Sequence, residues 1–171
     1  MAPGTARRRS EYRRGLDEEV VLRGLDSSPV IRLVEDKDAA ALAVLLLDAY
    51  RGSIDDEGEN ESDAREAIDD YVTKIERPYS VVVEEDARLL AMSFVVVVSD
   101  VRYIDPVATA SHGKGQGYGS AAVAESMRLL AAAGVPEVGA VITDGNAASE
   151  RLFSALGFAR VGAWPRGTAA G

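Results

Sequence analysis

Gly113, Gly115, Gly117 and Gly119 alternate between a β-type stretch ending near Thr109 and the alanine-rich segment Ser120-Ala-Ala-Val-Ala124. Glycine has no Cβ to hold the backbone away from a ligand, and a helix start carries N–H groups with no partner inside the helix. A strand that runs through such a loop into a helix therefore makes an anion site, favoured further by the helix dipole. The spacing narrows the ligand. The dinucleotide pattern G-x-G-x-x-G is not met, and a phosphotransfer loop needs Lys-Ser/Thr directly after its last glycine, where this chain has Ser120-Ala121.

The 171 residues, 47% of them hydrophobic, suffice for one compact domain. No apolar run approaches the roughly 20 residues of a membrane span. Cysteine is absent and histidine occurs once, which excludes disulfides, thiol catalysis and Cys-based metal sites, and no metal is expected. The net charge of -9 is unevenly spread. The first 14 residues hold five arginines (Arg7, Arg8, Arg9, Arg13, Arg14) and one acid, Glu11, so the remainder carries about -13, that is -9 minus +4. An acidic body repels nucleic acid and favours cationic small molecules. The arginine-rich start has no apolar core of a secretory signal, and residues 1–29 are expected to form a partly flexible extension to a single domain over 30–171. The absence of a targeting segment makes the cytoplasm the default location. Monomer and homodimer are both left open.

Along the body, Val30–Val34 alternates as a first strand, and Asp36 or Asp38 is placed to cap a helix through Ala39, Leu42, Leu45, Leu46 and Ala49. Ser62, with Glu66 near the reciprocal position, is expected to cap a second helix that Pro78 ends. Residues 80–84, 89–98 and 101–109 read as an antiparallel meander. A helix to about Ala133, a strand over 138–143, a helix opened by Asn146 and a strand over 158–164 follow.

Read as Lys114-Gly115-Gln116-Gly117-Tyr118-Gly119, the glycine loop resembles the Q/R-x-x-G-x-G/A loop of the GCN5-related N-acetyltransferases (GNAT), with lysine where that family usually has arginine or glutamine. Downstream, Asn146-Ala-Ala-Ser-Glu-Arg-Leu-Phe-Ser-Ala-Leu-Gly-Phe158 resembles the family's late signature, N-x-x-A/S-x-x-L-Y followed by x-x-L-G-F. The resemblance covers about Val30 to Trp164. It implies a mixed α/β (α+β) fold: a mainly antiparallel twisted sheet flanked by helices, with splayed central strands. It also implies acetyl-CoA as co-substrate, its pantetheine arm bonded to strand backbone at Val107 and Thr109. The loop Lys114, Gly115, Gln116, Gly117, Tyr118, Gly119 and Ser120 would hold the pyrophosphate, and Asn146 and Phe153 would close the acyl-CoA site.

The implied chemistry is direct transfer of an acetyl group to a primary amine of a small, cationic or amino-acid-like acceptor, by orientation and polarisation of the thioester carbonyl. Phe153 stands where many members carry a tyrosine that protonates the departing thiolate; a phenyl ring cannot donate. Water, Tyr103 or the ammonium proton of the intermediate is left as acid, and a catalytically silent acyl-CoA-binding or protein-interaction domain is the alternative. An amine near pKa ~10.4 must lose a proton before attack, and Asp105 is the candidate base, on the strand face of Tyr103, Val107 and Thr109 if no bulge intervenes. Asp105 precedes Pro106 and would equally serve to shape a turn. Lys114 would place its charge by the diphosphate or be a solvated loop residue, His112 reads as a surface residue, and Asp144 as a cap. Tyr50, Arg51, Asp55 and Asp56, at the crowded acidic connection between the first two helices, are the acceptor-side candidates.

Overall fold

The computed structural model describes residues 7–22 and 24–165. The chain runs β1 (Arg9–Gly15), β2 (Val30–Leu33), α1 (Ala39–Tyr50), α2 (Glu61–Lys74), β3 (Val81–Glu85), β4 (Arg88–Val98), β5 (Val101–Thr109), α3 (Tyr118–Ala132), β6 (Glu137–Thr143), α4 (Ala147–Ala155) and β7 (Ala159–Ala163). Among the described residues the seven strands form one sheet in the order β2-β3-β4-β5-β6-β1-β7. All neighbours are antiparallel except β5 and β6. The expected mixed sheet flanked by helices is thus the one observed.

Helices cover both faces, and β4 shows why the central strands are apolar throughout. Its Met92, Phe94 and Val96 pack with Leu42, Leu45, Leu46 and Ile68 of α1 and α2, while Val95 packs with Val123, Met127 and Leu130 of α3 on the other face. Leu42, Ile68, Met92 and Phe94 are each under 2% exposed, and each such side chain contributes about 1.5–3 kcal/mol through burial.

Two helix starts differ from expectation. Asp38 does not cap α1 through its side chain. Its carboxylate accepts the Glu35 N–H at 2.8 Å and both outer nitrogens of Arg32 at 2.8 Å, which fixes a 3-10 turn over Asp36–Asp38 ahead of the helix. α2 is capped by Asn60, whose Oδ1 accepts from Ser62 and Asp63 while the Asp63 carboxylate returns to the Asn60 N–H. An Asn two residues ahead of Ser62 outcompetes it because its longer amide reaches two amides at once.

The larger correction concerns the N-terminus. Met1–Ala6 lie outside the described residues, but Arg9–Gly15 is no flexible extension: it is a strand lodged between β6 and β7. Seven registered pairs join it to β6, from Arg9 opposite Thr143 to Gly15 opposite Glu137. Ser10 and Tyr12 turn one way and are buried, while Arg9, Glu11 and Arg13 alternate to the other face. The Ser10 hydroxyl donates to Asp144 Oδ1 at 2.5 Å and accepts from Arg160 at 2.9 Å, and Arg14 Nε donates to the Leu156 carbonyl at 2.9 Å. These long-range bonds tie Ser10 and Arg14 to the far end of the chain, where a solvated arm would have left them in water.

Candidate active site

β5 and β6 run parallel for only two registered pairs, Tyr103 opposite Gly139 and Ile104 opposite Ala140. Beyond them Asp105–Thr109 and Val141–Thr143 part, and a cleft of about 1480 Å³ opens between them. The glycine loop forms one wall. Gly115 and Gly117 hold φ of +79° and +91°, values that a side chain disfavours, and the second swings the chain into α3. Tyr118, Gly119 and Ser120 form the first turn of α3, where their amides have no partner inside the helix, and all three line the cleft. At Gly119 an added Cβ would lie 2.7 Å from Thr109 Oγ1 and 3.1 Å from Leu152, so only glycine lets the strand end and α4 close on the loop.

Side chains of the loop are employed elsewhere. Lys114 Nζ donates to the Ala49 carbonyl at 2.8 Å, and Asp48 accepts the Ser111 amide and hydroxyl at 2.6 and 2.9 Å, so the loop is moored to the end of α1. The Ser111 amide, foremost, holds the Asp48 carboxyl below its ordinary pKa. The Lys114 ammonium therefore rims the cleft as a tethered group. Gln116 turns its amide back to the His112 carbonyl at 2.8 Å, away from the cleft, and His112 is exposed. Tyr118 shares a 3.0 Å hydrogen bond with Ser27.

On the opposite wall Asp105, Tyr50, Asp55, Tyr71, Trp164 and Arg9 converge. Asp105 is half-buried, and desolvation pushes its carboxyl up to about 7; the Arg9 charge opposes the rise and the Asp55 charge adds to it. Burial, then Asp105, raises the Tyr50 hydroxyl well above its ordinary value, and Tyr71 is raised for the same two reasons. Asp55 accepts from Asn146 Nδ2 at 2.9 Å, while Asn146 Oδ1 caps α4 by accepting the Ser149 N–H at 3.1 Å. Phe153 borders the cleft but is only 4% exposed, its ring packed edge-on against Phe158 at 5.0 Å.

The shared strand face expected for Tyr103, Asp105, Val107 and Thr109 is broken by a bulge. Ser93 pairs with Val107 but Val95 with Ile104, so Phe94 alone opposes Asp105 and Pro106. The extra residue flips the strand: Tyr103 packs with the α1 and α2 core, whereas Val107 packs with the α3 side and Thr109 faces Gly119. Tyr103 is also withdrawn from the cleft. Its hydroxyl donates to Glu11 at 2.8 Å and accepts from Arg13 at 2.8 Å, and burial, followed by the Glu11 hydrogen bond, pushes it up to about 12.

The acceptor-side candidates separate. Asp56 holds its own loop, accepting the Gly52 and Gly58 N–H groups at 2.6 and 2.9 Å. With the exposed Arg51 it borders a neighbouring pocket of about 300 Å³ between α1 and α2, which shares Tyr50 and Tyr71 with the main cleft. Asp144 accepts from Ser10 and does not cap α4. Sequence reasoning singled out neither Arg9 nor Tyr71 as a site residue. The alternation of Arg9, Glu11 and Arg13 around Ser10 and Tyr12 was the available signal for a strand that carries Arg9 to the cleft. Among the described residues no group of three His, Asp or Glu is arranged to hold a metal, and no helix is long and apolar enough to cross a membrane.

Solved structures share this architecture. A GCN5-related N-acetyltransferase from Sphaerobacter thermophilus aligns with TM-score 0.71 and 14% identity, covering 92% of this chain; this chain spans 49% of that one. A GNAT family acetyltransferase from Brucella melitensis in complex with acetyl-CoA gives TM-score 0.52 and 22% identity, covering 63% and 71% of the two chains. The diaminobutyrate acetyltransferase from Paenibacillus lautus, in complex with L-2,4-diaminobutyric acid and coenzyme A, gives 0.57 and 21%, covering 77% and 74%. At these identities the likeness is one of fold. No curated protein matches the sequence. The model of the acetyltransferase (GNAT) family matches residues 39–158, from the start of α1 through the glycine loop to the end of the late motif, and the chain belongs to that family.

Proposed function

We propose that the protein transfers the acetyl group of acetyl-CoA directly to the primary amine of a small cationic or amino-acid-like acceptor. The observation that carries the reading is the pairing of an amide-lined helix start with a half-buried carboxyl near pKa 7 on opposite walls of one cleft. The diphosphate would sit on the amides of Gly115 to Ser120, and the pantetheine arm between the parted strands along Val107 and Thr109. When bound, acetyl-CoA supplies the activated acyl carbon.

Asp105 takes a proton from the acceptor ammonium. Its raised pKa narrows the gap to a lysine-like amine from roughly 6.5 to roughly 3.4 pH units, which makes the free amine accessible. The amine nitrogen then attacks the thioester carbon, the C–N bond forms and the C–S bond breaks. The second nitrogen proton leaves through water to the sulfur, giving the amide and free CoA thiol. Phe153 and Tyr103 take no part in that proton transfer, the first for want of a hydroxyl and the second because its hydroxyl is held by Glu11 and Arg13.

The same absence of a free phenol at Phe153 favours one other reading, a silent acyl-CoA-binding domain. Calorimetric titration with acetyl-CoA followed by an amine panel under a free-thiol assay separates the two. Amine-dependent thiol release is expected; tight binding without release by any amine transfers the assignment to the silent domain.

A further inference from the structure

Most charges bordering the cleft are paired within the chain. Arg7 donates to the Asp56 carbonyl at 3.2 Å and meets Glu57 at 3.7 Å, Asp55 accepts from Asn146, Glu59 accepts the Glu57 N–H, and Lys114 is moored to Ala49. Arg8 and Arg151, both exposed, also border the cleft, and on the acceptor wall Arg9 and Asp105 bring opposite charges together. Among the described residues neither the Arg9 guanidinium nor the Asp105 carboxylate has a hydrogen-bond or ion-pair partner, yet each feels the other.

Their placement follows from strand geometry. Glu11 and Arg13 both touch Tyr103, which fixes the odd-numbered side chains of β1 on the same sheet face as Tyr103. β1 runs antiparallel to β6, and β6 parallel to β5, so stepping from Arg13 to Arg9 moves in the same direction as stepping from Tyr103 to Asp105. Arg9 and Asp105 thus face one chamber from two strands, closed at its sides by Tyr50, Tyr71 and Trp164, whose own N–H binds the Arg9 carbonyl at 2.9 Å. A cation and an anion that share a chamber without touching match a ligand that carries both charges. Arginine's planar fork suits a carboxylate in particular.

We propose that Arg9 is the specificity-determining residue of the acceptor side: it binds the carboxylate of a substrate whose amine faces Asp105, so the acceptors are amino acids or derivatives that keep a free carboxylate. This deepens the acetyltransferase reading and rests on it. The N-terminal strand, outside the stretch that matches the family model, then supplies the residue that chooses the substrate.

The test compares amino acids with their own carboxamides by thiol release at saturating acetyl-CoA. The carboxamide amine is the less protonated of each pair at neutral pH, so a preference for the free acid runs against intrinsic reactivity. The best free acid is expected to exceed its carboxamide in kcat/KM by about tenfold or more, the scale of one charge-assisted hydrogen bond. Arg9→Gln should bring that ratio to about one by raising KM for the free acid, and Arg9→Lys should keep part of it; circular dichroism and the acetyl-CoA Kd verify that both variants fold. A wild-type preference for carboxamides, or a ratio that survives Arg9→Gln, overturns the inference alone. Acetyl-CoA binding with no thiol release from any amine overturns the transferase reading and this inference with it.

Discussion

The two walls of the cleft present different chemistry to a ligand. The glycine-loop wall offers backbone, Gly115 and Gly117 to Ser120, while the Gln116 N–H is taken by the Gly113 carbonyl at 3.3 Å, and it spends its side chains on fastening itself: Lys114 to Ala49, Gln116 to His112, Tyr118 to Ser27. The opposite wall offers side chains, Asp105 from β5, Tyr50 and Tyr71 from the two N-terminal helices and Arg9 from β1, brought together by sheet pairing across the whole chain. On the proposed function, the wall made of amides would hold what every such transfer shares, a diphosphate. The wall made of charged side chains would then be where one acceptor is told from another.

If this division is right, damage to one wall should leave the other's ligand untouched. The largest effect is expected at Asp105. Asp105→Asn should lower kcat/KM for the best amine by roughly 10²–10⁴, the usual worth of a positioned base, while calorimetry finds the acetyl-CoA Kd within about twofold. Loss of donor affinity of the same size would erase the distinction between the walls.

The pH dependence sharpens the same point. In the wild type kcat/KM should climb with pH to about 7 and then level off, and that step should vanish in Asp105→Asn. Stability moves the opposite way. Burial raises the folded carboxyl above its ordinary 3.8, so the neutral form is favoured in the fold and its contribution, full below about pH 4, is lost as pH rises through about 7. Asp105→Asn should therefore unfold at higher temperature than wild type at pH 8 but not at pH 4, by on the order of 1–2 kcal/mol once the water in the open cleft is allowed for. Equal melting shifts at both pH values would mean that the carboxyl is solvated like any surface group.

On the other wall, Gly119→Ala should weaken acetyl-CoA by about tenfold, because the new methyl meets Thr109 Oγ1 and Leu152 and forces the loop outward. The fold should tolerate it, since alanine is favoured over glycine in a helix by about 1 kcal/mol, which offsets the crowding. Amine KM at saturating donor should stay as it was. A variant with unchanged donor affinity would show that the amides of the first turn do not hold the diphosphate.

The same contrast explains what could be read in advance. Glycine spacing and a helix start are local, so the donor wall was visible as a string of residues, and the meander from residue 80 to 109 was visible from its apolar runs. Asp105 was visible as a carboxyl but not its face, because the bulge depends on Phe94, a residue of another strand, being opposed by two. Arg9 was hidden more deeply. A strand of mixed charge reads as a solvated arm until its partners are known, and those partners, Thr143 and Trp164, lie at the far end of the chain. Tyr103 misled for a related reason: its hydroxyl is satisfied by Glu11 and Arg13, a pair that only the N-terminal strand brings to it.

Smaller effects are expected where the loop fastens to α1. Lys114→Ala removes a hydrogen bond to the Ala49 carbonyl that contributes about 1 kcal/mol or less, and should weaken acetyl-CoA by about two- to fivefold through a looser loop. If the donor affinity instead falls a hundredfold, the ammonium leaves Ala49 for the diphosphate on binding, and the donor wall includes a side-chain charge after all.

Phe153→Tyr should change least, and it probes the border that α4 gives the cleft. Phe153 borders the cleft from α4, is only 4% exposed and packs its ring against Phe158, so an added hydroxyl would sit on a fixed base at the cleft wall. The acceptor nitrogen carries a second proton that must leave in any case, and relaying it to the sulfur makes a separate acid dispensable. Steady-state kcat should therefore stay within about threefold of wild type, since general acid catalysis contributes its usual 10²–10⁴ only where proton delivery limits the rate. A hundredfold gain in kcat with KM unchanged would mean that thiolate departure limits the native enzyme, and that phenylalanine at this position slows a reaction the rest of the cleft is built to perform.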